Sequence, residues 1–122
     1  MSDDEPVEVR ASPILPVADL DRALDHYAAL GFVTSRHSDD YGFAAWRGLE
    51  LHLSVPPRHL RPTPTATFLH VPDADAVAAA WIATGVGETE APVPKPWHVR
   101  EGAHVDPDGN LLRFGSPLAS GG

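Results

Sequence analysis

The sequence predicts an α+β domain made of two tandem βαβββ modules. Two observations predict it. First, LPVADLDRALDHYAALGF from Leu15 aligns without a gap on LHVPDADAVAAAWIATGV from Leu69. This offset of 54 residues matches Val17 to Val71, Asp19 to Asp73, Asp21 to Asp75 and Gly31 to Gly85. Second, segments rich in Val, Leu and aromatics flank both copies, as strands do. A repeat of this length describes two supersecondary units, each carrying half a core, that must pair to bury their helix-facing surfaces.

The elements follow in order. VRASPILPV forms the first strand, and Asp19 caps a helix that buries Leu20, Ala23, Leu24, Tyr27 and Leu30 at steps of three and four before Gly31 stops it. FVTSRH, FAAWR and LELHLSV are the next strands. LELHLSV alternates, with Leu49, Leu51, Leu53 and Val55 turned to the helices and Glu50, His52 and Ser54 turned to a polar face. Pro56, Pro57, Pro62 and Pro64 make the following stretch a connection. TATFLHV is a strand, and the second helix starts near Asp73, buries Val77, Ala78, Trp81 and Ile82, and ends at Gly85. WHVREGAHVDPDGNLLRFGS is two strands around a turn at Asp106–Asn110, where Pro107 presets φ and Gly109 tolerates a positive one. The folded part spans 7–117, as modules 7–57 and 65–117, with 1–6 and 118–122 as tails that lack apolar anchors.

The 122 residues suffice for one modest core. Nine Lys and Arg against 17 Asp and Glu give a net charge of −8, which repels phosphate backbones and anionic lipid; neither nucleic acid nor membrane is an expected partner. An acidic surface suits a cationic ligand and equally serves solubility. Without cysteine there is no disulfide, thiolate metal site or thiol nucleophile. MSDDEPVEVR lacks the basic and apolar blocks of a secretory signal, and nowhere do about 18 apolar residues run together, so a cytoplasmic location is expected.

Two βαβββ modules, together with VADLDRALDHYAALGF and VDPDGNLLRF, resemble the vicinal oxygen chelate superfamily of glyoxalases, bleomycin resistance proteins and dioxygenases. The resemblance implies curved mixed sheets that form cups. In the metalloenzymes of that superfamily a divalent ion is held by first-strand residues and fourth-strand carboxylates of the two modules. The corresponding positions are Ser12, Glu50, Ala66 and Arg113. Only Glu50 is a usual ligand, and a guanidinium has no lone pair to give, so no metal cofactor is expected. Glu50 and Arg113 either pair in the cup or reach solvent separately at its mouth.

SPILPVADLDRA, LGF followed by DDYGF, a strand ending in LS, and the spacing of PW to DPDGN in PWHVREGAHVDPDGN are most similar to the bleomycin resistance proteins. That resemblance implies a homodimer, exchange of the N-terminal strand, and two crevices that sequester a planar cationic drug without chemistry. It carries the stacking aromatics over to Tyr41, Phe68 and Trp97, and a polar contact to Ser54. Aromatic rings stack on flat heterocycles and attract cations, which agrees with this reading. Phe68 otherwise belongs to the core, and Trp97 otherwise plugs its own module. Departures are Arg36, where the family has a phenylalanine ahead of the DD pair, and His52 and His70, where bulkier side chains are usual; the crevice is expected to be more polar and basic.

His26, His37, His59, His98 and His104 read as surface residues. His52 and His70 are candidates for proton transfer. The competing function is a glyoxalase- or dioxygenase-like metalloenzyme with a site drawn from Glu50, His52, His70 and His104. No phosphate loop, GxSxG or HExxH motif is present.

Overall fold

The computed structural model describes residues 8–118. The elements are β1 (Ile14–Pro16), α1 (Leu20–Leu30), β2 (Val33–Ser38), β3 (Tyr41–Trp46), β4 (Leu49–Ser54), β5 (Ala66–His70), α2 (Ala74–Thr84), β6 (Glu88–Pro94), β7 (Val99–Val105) and β8 (Leu111–Pro117). They make two four-stranded mixed sheets of identical plan, β1-β4-β3-β2 and β5-β8-β7-β6. In each, the first strand runs parallel to the fourth and the other neighbours are antiparallel. The tails expected at 1–6 and 118–122 lie outside the described residues except for Leu118, whose N–H donates to the His98 carbonyl.

The duplicated helix signals do the same work twice. Asp19 accepts the Arg22 N–H at 3.1 Å, Asp73 accepts the Ala76 N–H at 3.1 Å, and Gly31 and Gly85 take left-handed φ values of 107° and 71° that end each helix. Both helices lie on the inner sides of the sheets, so one core runs through both modules: Leu15, Val17, Tyr27, Leu51 and Leu53 join Trp81, Leu112 and Phe114. Trp81 bridges the halves, with its ring 5.5 Å from Trp46 and 5.2 Å from Phe114.

Polar groups lock the halves together. Tyr27 Oη donates to Asp106 Oδ2 at 2.8 Å, while Asp106 Oδ1 accepts the N–H groups of Asp108 and Asn110. Asp108 accepts the Ala18 N–H at 2.9 Å and pairs with Arg22 at 2.7 Å, so the β7–β8 turn holds the start of α1. Burial and the Asp106 carboxylate push the Tyr27 phenol well above its ordinary pKa.

Three sequence expectations need correction, those for His26, His104 and Ile82. His26 and His104 are buried, not at the surface, and their Nε2 atoms lie 2.9 Å apart between α1 and β7. Burial lowers both pKa values, and the neighbouring His26 helps bring His104 down to about 4. Ile82 is half exposed because α2 turns Trp81 and Val77 inward instead. Residues 88–94 are a strand despite Pro92 and Pro94, because β6 is an edge where a missing N–H costs no ladder bond. No helix among the described residues is long and apolar enough to cross a membrane.

Candidate functional site

Alternation along the strands sends one face of each sheet into the core and the other outward, as the outer cup faces. On the first, cross-strand partners place Tyr41 opposite Ser54, Phe43 opposite His52 and Ala45 opposite Glu50. A hydrogen-bonded chain runs across it: Tyr41 Oη lies 2.6 Å from His52 Nδ1, and His52 Nε2 lies 3.1 Å from Glu50 Oε1. With Nε2–H donated to the carboxylate, Nδ1 is left to accept the phenol proton. Phe43 meets the His52 ring edge to face at 5.0 Å.

On the second face, β5 and β8 place Phe68 beside Arg113 and His70 beside Gly115. The Phe68 ring lies over Gly115, where a Cβ would come within 2.7 Å of it. Glu101 is the hub. Its Oε2 accepts Arg113 Nε at 2.9 Å and Nη2 at 2.5 Å, and its Oε1 accepts Trp97 Nε1 at 3.3 Å. Phe68 is 36% exposed and Trp97 54%, so Phe68 is not core and Trp97 does not plug its module.

The eight residues expected at the site thus fall into two clusters of one chain, Tyr41, Glu50, His52 and Ser54 on the first face and Phe68, His70, Trp97 and Arg113 on the second. Glu50 and Arg113 do not pair; each has a nearer partner on its own sheet, His52 and Glu101 respectively. Arg36 does not reach the first face, because it sits opposite the core-facing Gly42 and pairs with Asp21 of α1. Phe43 and Glu101 escaped the sequence reading. Phe43 lies two residues from Tyr41 on β3, so correct phasing of that strand would have found it, whereas the sequence analysis assigned no face to β7, which carries Glu101.

The register also revises which positions correspond. Val17 N–H donates to the Ser54 carbonyl and Val71 N–H to that of Gly115, so His52, not Glu50, is the counterpart of Arg113. With either assignment the donor set is poor: Ser12 and Ala66 at the first strands, Glu50 or His52 on β4, and Leu111 or Arg113 on β8. These residues do not fit a chelated divalent ion. Glu50, His52, His70 and His104 do not converge either, since His104 faces the core and bonds Thr89 at 2.7 Å while His70 lies on the other sheet. Among the described residues no three His, Cys, Asp or Glu side chains are grouped to hold a metal.

This duplicated fold with two outward faces is that of a large family of small-molecule-binding proteins and enzymes. The chain belongs to the glyoxalase/bleomycin resistance protein/dioxygenase superfamily, whose model matches residues 9–114. Among solved structures it is similar to a bleomycin resistance determinant encoded on transposon Tn5, with 24% identity, a TM-score of 0.80, and coverage of 92% of this chain and 100% of that one. It is also similar to the bleomycin-binding protein of Streptomyces verticillus complexed with copper(II)-bleomycin, at 21% identity and a TM-score of 0.73, covering 95% and 100%. A glyoxalase-related enzyme from Clostridium phytofermentans matches at 19% identity and a TM-score of 0.76, again covering 95% and 100%. Likeness at such identities shows the shared fold. No curated protein matches the chain.

Proposed function

We propose that this chain is a metal-free binding protein that sequesters a planar cationic drug of the bleomycin type in crevices between two protomers. The observation that carries the proposal is a pair of outward faces on which rings gather beside carboxylates: Glu50 with the half-buried Tyr41 and Phe43, and the buried, Arg113-paired Glu101 with the exposed Phe68 and Trp97. Rings of this kind stack on bithiazole-like heterocycles and attract cations, and the net charge of −8 raises the local concentration of a cationic ligand.

One chain leaves both faces open, and Ile14, Val33, Phe68 and Val93, all on outward positions, are exposed by 36% to 77%. Apolar positions gathered on such faces favour a second copy that sets the first face of one protomer against the second face of its partner. The ligand would lie in the two crevices so formed. Arg113 beside Glu101 makes the lining unsuited to a metal ion but leaves Tyr41 Oη and Ser54 as acceptors for ligand N–H groups. Titration of the dimer with metal-free bleomycin is expected to quench tryptophan fluorescence, and Trp97→Ala to abolish the quenching at unchanged melting temperature. A strictly monomeric protein at all concentrations, or quenching indifferent to Trp97, would refute the proposal.

A further inference from the structure

A cleft of about 520 Å³ opens between the β3–β4 turn and the free edge of β5, sharing Phe68 and His70 with the second outward face but reaching away from Glu101 and Trp97 toward Trp46 and Arg47. Its walls are Trp46 and Leu49 on one side and Phe68, His70, Val71 and Pro72 on the other, and Arg47 stands at its rim. The lining contains two basic side chains and no acid, which is unusual placement in a chain with 17 acids.

Arg47 is the informative residue. Trp46 and Leu49 are cross-strand partners, so Arg47 and Gly48 form a two-residue hairpin loop, and both have positive φ, 48° and 83°. Such a loop favours Asn, Asp or Gly at its first position, and a long side chain there is strained. Turn chemistry therefore does not explain an arginine. Its guanidinium lies 4.9 Å from the centre of the Trp46 ring, which fixes it at the cleft. Arg22, Arg36, Arg100 and Arg113 pair with carboxylates; Arg47, like Arg10, Arg58 and Arg61, has none within 4 Å among the described residues, and of these four it is the one that lines the cleft. A positioned guanidinium without a carboxylate, above an apolar slot, is a receptor for a planar anion.

We infer that this cleft is a second binding site, for an aromatic carboxylate whose ring slides between Leu49, Phe68 and Pro72 while its carboxylate is held by Arg47 with His70 nearby. It shares Phe68 and His70 with the second face, but its anion-holding group, Arg47, belongs to neither cluster, so loss of anion binding on changing Arg47 can be told apart from loss of drug binding on changing Trp97.

The test uses the full chain and 2-naphthoate, with 2-naphthylmethylamine as the cationic isostere, followed by the three tryptophan indole N–H resonances. Naphthoate is expected to shift the Trp46 resonance, identified by its loss in Trp46→Phe, and to leave that of Trp97 in place. Arg47→Asn suits the turn better, so it should keep or raise the melting temperature while weakening naphthoate at least fivefold; Arg47→Lys should fall between. Binding unaffected by Arg47→Asn, equal binding of the amine, or no shift of Trp46 at up to about 10 mM naphthoate, beyond the weak end of specific affinities, would each overturn the inference.

Discussion

At the scale of single residues, two buried polar contacts govern stability. Tyr27 gives its only donor to Asp106, a carboxylate that is almost wholly buried, so Tyr27→Phe removes a charge-assisted hydrogen bond and leaves an acceptor short of a partner. The expected cost is about 2 kcal/mol, read from urea denaturation. His104 supplies a pH dependence. Its folded pKa, about 4, lies below the 6.5 of the unfolded chain, so the unfolded state binds the proton first as pH falls. Stability from this group is complete above pH 6.5 and is lost between 6.5 and about 4, by roughly 3 kcal/mol. His104→Leu should flatten that slope in melts recorded across the same range. Neither effect was legible in the chain, where His26 follows Asp25 on what reads as a polar helix face and His104 sits in a hairpin. Burial of an imidazole depends on what the other module presses against it. Glu50, His52 and Ser54 were legible because strict alternation in LELHLSV leaves only one way to bury its leucines.

At the scale of elements, the helices were readable from their caps. Asp19→Ala and Asp73→Ala each remove the acceptor for one end N–H, and each is expected to cost about 1 kcal/mol in thermal or urea unfolding. The two changes lie in different modules, so the double variant should show their sum. The inward face of α2 was less readable than its limits. Val77 to Ile82 is an unbroken apolar run, which carries no helical phase, and only packing against β6 and β7 decides that Trp81 goes in and Ile82 out. β6 was hidden for a related reason. Its two prolines argue against a strand unless the strand is an edge, and edge position is a property of the sheet order, which local sequence does not contain.

At the scale of the whole molecule, the repeat predicted the architecture because duplicated segments fold to duplicated plans, and the two sheets do share one strand order. The distribution of the site over two faces was not predicted by the repeat. Which face of each sheet meets the other module is settled by the shared core, and that core turns the two aromatic clusters outward in opposite modules. A core common to both halves also means that neither half buries its helix alone: residues 1–62 or 63–122 expressed singly should give a disordered circular dichroism spectrum. The proline-rich stretch between β4 and β5, by contrast, contributes little to that core. Its consequence is that covalent continuity there is dispensable: the two fragments, mixed, should recognise each other through Tyr27, Trp81 and the Asp106 turn and regain the native spectrum, making the chain a natural scaffold for split-reporter complementation.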